Sequence, residues 1–204
     1  MDIIEAIRTT RAMRRLDLER KVSEEDLIFI IDAATRAASG GNTQPVRWLV
    51  VTDDDLRRRL GEVYGPSWRE FRDHYLNDPD PAEQTQRGLR SADHLADNFG
   101  KSPAIIVVCS RNTVPASVFP GVQNLMLAAR SIGLGTTLTT AHVRHEDEVR
   151  AILGIPADVK THAMIPVGYP LGRWGEAERL PPEAVTYWNG WRNKGGHTTE
   201  GEAP

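Results

Sequence analysis

Ala38-Ser39-Gly40-Gly41-Asn42-Thr43-Gln44-Pro45 separates a helix-period run from the strand-like Arg47-Trp48-Leu49-Val50-Val51-Thr52. Two adjacent glycines allow backbone shapes closed to other residues and leave no side chain to hold a ligand off the main chain. Ser39, Asn42, Thr43 and Gln44 add donors and acceptors within one short turn. Taken alone, the stretch reads first as a helix-to-strand loop. The ligand reading gains weight only from the segments on either side.

Upstream, Asp2 to Arg8 reads as a short helix with Ile3, Ile4 and Ile7 on one side. A basic knot follows, Arg8-Thr9-Thr10-Arg11-Ala12-Met13-Arg14-Arg15-Leu16. Arg11 and Arg15 would share a face on a helical turn, and crowded like charges call for an anion or for carboxylates such as Asp17 and Glu19. Guanidinium groups suit the oxygens of a terminal phosphate. Ser23-Glu24-Glu25-Asp26 is a capping-box pattern with Asp in the reciprocal place. It opens a helix with Leu27, Ile30, Ile31 and Ala34 at core-facing spacing, expected to run to about Ala38.

Downstream, Trp48 to Thr52 reads as a buried strand, and Asp53-Asp54-Asp55 caps a helix from Leu56 to about Tyr64. Gly65-Pro66 is expected to break that helix, and Asn77-Asp78-Pro79-Asp80-Pro81 to break another. Between them Tyr64, Trp68, Phe71 and Tyr75 form an aromatic stripe, read as core first and as a lid over a planar cofactor second. Glu83 to Phe99 reads as a further helix.

Pro103 to Ser110 is a continuous β-rich run, hence a central strand covered on both faces, with Cys109 as a packed small side chain. Val118, Val122, Leu125, Met126 and Ala129 mark a buried helix that stops at Ile132-Gly133. Gly133-Leu134-Gly135-Thr136-Thr137-Leu138-Thr139-Thr140 begins G-x-G, but Leu138 stands where a third glycine would and no strand precedes it. It is not a dinucleotide fingerprint; it reads as a strand whose threonines and backbone meet a ligand edge. His142 and His145 read as helix-start residues before a helix from Glu146 to Leu153. Thr161 to Tyr169 is the last core strand, after which Val185, Tyr187, Trp188 and Trp191 need a surface to cover. Another subunit is the natural candidate.

The 204 residues suit one domain, expected over 1–193, with a disordered polar tail over 194–204. A net charge of −3 gives no global field for nucleic acid, and no apolar run reaches the ~20 residues of a membrane helix. The N-terminal Met1-Asp2-Ile3-Ile4-Glu5 lacks a signal-peptide pattern, and the single cysteine fits a reducing cytoplasm.

Four elements stand in order: the arginine knot, Ser-Gly-Gly-Asn-Thr-Gln-Pro, Gly-Leu-Gly-Thr-Thr, and Gly-Tyr-Pro with a later Arg-Leu-Pro. Together they resemble the FMN-dependent nitroreductase family over about residues 2–190. The resemblance implies an α+β fold, a mostly antiparallel central sheet between helices, and an interlocked homodimer with two FMN sites at the subunit interface. It implies that Arg11, Ala12 and Arg14, with Arg15 beside them, meet the phosphate and ribityl chain. Arg179, and Arg173 after it, would complete the phosphate clamp. Ser39, Gly40 and Asn42 would reach the flavin of the other subunit, and Thr139, Thr140 and Ala141 would run past the ring near N5. Arg69, Arg72 and Lys101 are candidates for its pyrimidine end.

With flavin carrying the redox chemistry, the protein needs no acid–base pair of its own. The resemblance therefore implies NAD(P)H as a transient electron donor and ping-pong hydride transfer through flavin N5. Nitroaromatics, quinones or similar small planar electron acceptors would take the electrons. The alternatives are a flavin-dependent oxidase or dehydrogenase of a dedicated metabolite, and a non-catalytic flavin-binding protein. The chain departs from the family pattern at Thr10, Ala38 and Val46, where many members carry Arg, Pro and Trp.

Overall fold

A computed structural model describes residues 1–75, 83–111 and 114–191. The break expected at Asn77 to Pro81, the side chain of Tyr75 and the tail over 194–204 lie outside the described residues. The core is a four-stranded antiparallel sheet, β1 (Val46–Val51), β2 (Ala104–Ser110), β3 (Gly135–Thr136) and β4 (Lys160–Gly168), in the order β1-β2-β4-β3. β2 is buried along its whole length, because both faces are covered. Its side chains alternate between layers, as a strand's two-residue period requires. Ala104, Ile106 and Val108 join one hydrophobic cluster; Ile105, Val107 and Cys109 join the other.

On the first face lie α2 (Glu24–Thr35) and α5 (Phe119–Ser131), whose Leu27, Ile30, Val122 and Leu125 fill the gap to the sheet. Ser23 caps α2, its Oγ accepting the Asp26 N–H at 3.0 Å. The opposite face carries α3 (Asp54–Tyr75), α4 (Glu83–Asn98) and α6 (Glu146–Leu153). Asp53 Oδ1 accepts the Leu56 N–H at 2.9 Å and so starts α3. α1 (Ile3–Thr9) and the short α7 (Pro182–Val185) lie at the two ends of the chain.

Several expectations need correction. α3 does not stop at Gly65-Pro66 but runs through it to Tyr75. Pro66 faces solvent, where water can take the carbonyl that proline leaves without a donor, while Tyr64 and Ser67 on the inner face are buried. β1 is an edge strand and only half-buried, although its sequence resembles a central one. Of the Gly133 to Thr140 stretch, only Gly135–Thr136 is regular strand, with Thr139 rejoining β4 through a single bridge to Met164. α2 ends at Thr35, three residues short of Ala38.

Beyond Thr9 the arginine knot is not helical, so Arg11 and Arg15 share no helical face. Its backbone instead clasps the sheet margin. The Met13 N–H donates to the Thr136 carbonyl at 2.9 Å, the Thr137 hydroxyl to the Met13 carbonyl at 2.9 Å, and the Leu171 N–H to the Arg15 carbonyl at 3.0 Å. Gly135 permits this approach, because a Cβ there would stand 2.8 Å from the Met13 Cβ. In this extended course Met13 and Leu16 turn inward, Arg15 turns outward, and Arg14 sits half-buried.

Candidate active site

The clasp, the end of the sheet and the α3–α4 pair enclose a cleft of about 410 Å³. Thr137, Leu138, Thr139, Thr140 and Ala141 form one wall. Tyr64, Trp68 and Phe71 of α3 form the opposite wall, and Gly88, Leu89 and Ala92 of α4 continue it. Arg14 is the cationic residue of the lining. This is a concave, mainly apolar site with a few polar groups, the usual form of a small-molecule pocket.

Each wall is held from behind. Tyr64 stacks on Phe99 with ring centroids 4.0 Å apart, and its hydroxyl faces the Thr139 side chain. Burial pushes the Tyr64 phenol upward, with Thr139 and Arg14 pulling the other way, so the hydroxyl stays protonated at neutral pH. The Trp68 Nε1–H donates to Asp93 Oδ1 at 2.9 Å, tying α3 to α4, and Arg72 Nε lies 3.2 Å from the same oxygen. Thr139 has both backbone groups committed to Met164, its N–H at 3.0 Å and its carbonyl at 2.9 Å. Its own N–H is therefore not free for a ligand, and the Ala141 N–H makes a long contact of 3.4 Å to Thr139 Oγ1.

Arg14 is electrostatically the most exacting group in the cleft. Burial lowers its guanidinium from the ordinary value, with the Tyr64 oxygen acting weakly the other way. It pairs with no carboxylate among the described residues. A half-desolvated cation with no internal anion is suited to an anionic ligand.

Behind the Thr139 to Ala141 wall lies a polar cluster. The Thr161 backbone N–H and hydroxyl both donate to Glu146 Oε1, at 2.6 and 3.1 Å. The hydroxyl proton being spent there, the fully buried His142 donates its Nε2–H to Thr161 Oγ1 at 3.1 Å, which assigns the tautomer. Its Nδ1 is then a buried acceptor without a hydrogen-bond partner. Burial drives His142 down to about 4, against a smaller upward pull from Glu146. For Glu146, burial acts upward but is outweighed by the Thr161 donors and by Lys160 and Arg150, leaving its carboxyl below the usual range. Cys109 is buried, and burial, reinforced by Glu146, raises its thiol to about 11, which leaves it an inert packing group.

Of the residues singled out in the sequence, the cleft brings together Arg14, Thr139, Thr140 and Ala141. Its lining does not include Arg11, Ala12, Arg15, Ser39, Gly40, Asn42, Arg173 or Arg179. Ser39 lines a separate hollow of about 170 Å³ beside Trp48 and Gly121. There its Oγ accepts the Gln44 N–H at 3.0 Å, and the Gly40 N–H donates to Ser117 Oγ at 3.2 Å. Arg11, Ala12, Arg15, Asn42, Arg173 and Arg179 are exposed, and Arg179 Nη1 donates to the neighbouring Glu178 carbonyl at 2.8 Å. Arg69 pairs with Asp97 at 2.8 Å on an exposed surface, Arg72 Nε stands 3.2 Å from Asp93 without a hydrogen bond, and Lys101 lies in another hollow beside Gly61.

The α4 residues Gly88, Leu89 and Ala92 are cleft walls that the sequence reading did not single out. The signal was present as the four-residue spacing of Gly88, Ala92 and Ala96, a small-residue row along one helix face. The aromatic stripe was legible as core for Tyr64 and Trp68, which pack in or against the second hydrophobic cluster, and Tyr64, Trp68 and Phe71 also line the cleft.

The model of the nitroreductase family matches residues 7–169. A protein of Methanothermobacter thermautotrophicus described as a "Putative NADH dehydrogenase/NAD(P)H nitroreductase" is 26% identical over 196 residues, covering 91% of this chain and 86% of that protein. The iodotyrosine deiodinase of Thermotoga neapolitana is 29% identical over 164 residues, covering 78% and 84%. Among solved structures, an oxidised iodotyrosine deiodinase bound to FMN and 3-iodo-L-tyrosine superposes with a TM-score of 0.76 at 25% identity, over 93% of this chain and all of that one.

Proposed function

This chain belongs to the nitroreductase family, and from that premise we propose that it is an FMN-dependent oxidoreductase passing electrons from NAD(P)H to electron-poor planar aromatics such as nitroaromatics or quinones. The observation that carries the reading is Arg14, a half-buried guanidinium without a carboxylate, set at an apolar cleft beside Thr139, Thr140 and Ala141. That donor set fits FMN: an anion-seeking cation at one end, a flat apolar wall, and backbone groups for a ring edge. FMN, when bound, supplies the redox exchange between the nicotinamide and the acceptor.

The chain's own residues then bind, orient and exclude water. Arg14 neutralises negative charge. Tyr64 holds Thr139 in place, while Trp68 and Phe71 shield the open face of the cleft. Arg11, Ala12 and Arg15, with Arg173 and Arg179, would add to the clamp where two copies meet. Ser39, Gly40 and Asn42 would serve the site of the partner subunit. Large exposed apolar residues on the C-terminal segment support such a pairing, among them Leu180 at 72% and Trp191 at 81% exposure.

A second reading is reductive removal of a ring substituent, as the name of the deiodinases at 24–29% identity suggests. Holding an amino-acid zwitterion calls for a carboxylate to meet its ammonium, and Arg14 is the one ionic group among the described lining residues. That favours aryl acceptors without an ammonium group. Anaerobic mixing of the FMN-loaded protein with NADPH or NADH tests both readings. Bleaching of the bound flavin, then recovery on adding a nitroaromatic or quinone, is the expected result. Full occupancy with no bleaching by either nicotinamide would overturn it in favour of a carrier, and recovery only with a halotyrosine would favour the second reading.

A further inference from the structure

We infer that Gly88 is the position that sets the width of the acceptor cleft, leaving a gap between α3 and α4 for a second ring fused to, or carried by, an aryl acceptor. The inference rests on the proposed reading of the cleft and deepens it. Glycine inside a helix is destabilising relative to alanine, so each instance calls for a local reason. Gly61 and Gly121 have one. A Cβ at Gly61 would stand 2.8 Å from the Gly100 Cα, and one at Gly121 would stand 3.1 Å from the Ala34 carbonyl oxygen and from the Trp48 ring. At Gly65 the constraint is softer, since a Cβ would meet the flexible tip of Arg69 at 3.3 Å and the Ala96 carbonyl oxygen at 3.5 Å.

At Gly88 a Cβ would meet no atom of the described residues within 4 Å, and the backbone is not in the left-handed region. Among the described residues neither packing nor conformation requires a glycine there. Gly88 is exposed yet lines the cleft. What the missing side chain provides is open space at the mouth of a binding site.

The surrounding geometry gives that space a shape. α3 and α4 run antiparallel, close at one end, where a Cβ on Gly65 would lie 3.5 Å from the Ala96 carbonyl oxygen, and clipped at the middle by Trp68 and Asp93. The row Ala96, Ala92, Gly88 continues along one face of α4, buried at the first two and open at the third. Gly88 thus lies at the more exposed end of this face, with Trp68, Phe71 and Leu89 lining the same cleft. Aromatic side chains bordering a slot of this kind accept a planar, apolar group.

Calorimetric titration of FMN-loaded protein with phenol and with 2-naphthol, which share a hydroxyl and differ by one fused ring, tests the assignment. Gly88→Leu should weaken 2-naphthol binding by about tenfold or more, the scale on which pocket fit discriminates, and leave phenol within about threefold. Gly88→Ala should lose part of the same preference while raising Tm by roughly 1–4 °C, which keeps the test open if the leucine variant folds poorly. A ratio of the two affinities unchanged in both variants would overturn the role of Gly88 and leave the flavin reading intact. A wild-type protein that takes up no FMN on reconstitution would overturn that reading itself, before any aryl ligand is added.

Discussion

The Tyr64 hydroxyl meets the Thr139 side chain across the cleft, linking the middle of α3 to the wall that follows β3. Tyr64→Phe keeps the stack on Phe99 and removes only the hydroxyl. The expected cost is about 0.5–1.5 kcal/mol of stability, read from urea denaturation, together with a shifted visible spectrum of bound flavin. An unaltered spectrum would detach this contact from the site.

Arg14→Ala removes the one charged group among the described lining residues of the cleft. It should weaken FMN binding by about 1.5–3 kcal/mol, the range for a charge-assisted contact, with little change in far-UV circular dichroism. Flavin fluorescence on titration gives the affinity directly. Wild-type affinity in this variant would move the phosphate elsewhere.

His142 makes stability depend on pH in a defined direction. Its folded value of about 4 lies below the 6.5 of an exposed histidine. Above pH 6.5 neither state binds the proton; as pH falls from there to about 4, the unfolded chain gains it first and stability is lost. From pH 7 to pH 5 this amounts to about 2 kcal/mol. His145, raised by Glu148 and Glu70, acts with the opposite sign, contributing at low pH and less as pH rises. The difference between wild type and His142→Gln isolates the effect, and equal pH slopes in the two proteins would contradict it.

Tyr187 and Trp191 stack at 4.9 Å, yet Trp191 and Trp188 lie open to solvent in the single chain. Sedimentation of the wild type should give twice the 22.7 kDa of one chain. Trp188→Asp combined with Trp191→Asp should shift the mass towards one copy and release flavin at the same time. A dimer that retains FMN after both substitutions would place the contact on another surface.

Much of the architecture was legible because it follows from local pattern. The unbroken Ala104 to Ser110 run announced a strand covered on both faces, and Ser23 and Asp53 announced helix starts. The errors arose where tertiary packing overrides local preference. Pro66 does not end α3 because it faces water and the inner face of that helix is buried. The arginine knot is extended because Thr136 and Leu171 claim its backbone, partners more than 120 residues away that no local window contains. Arg14 and the Thr139 to Ala141 wall, which the resemblance singled out, line one cleft. Gly88 was not legible, since its meaning depends on what is missing around it in space.

The clasp of Met13 and Arg15 onto residues 136, 137 and 171 carries a further consequence. During vectorial synthesis the first seventeen residues emerge early but have nothing to fasten to until the last third of the polypeptide has left the ribosome. Arg14 acquires its perch only then. Chains truncated before residue 136 should therefore stay colourless however well their helices have formed.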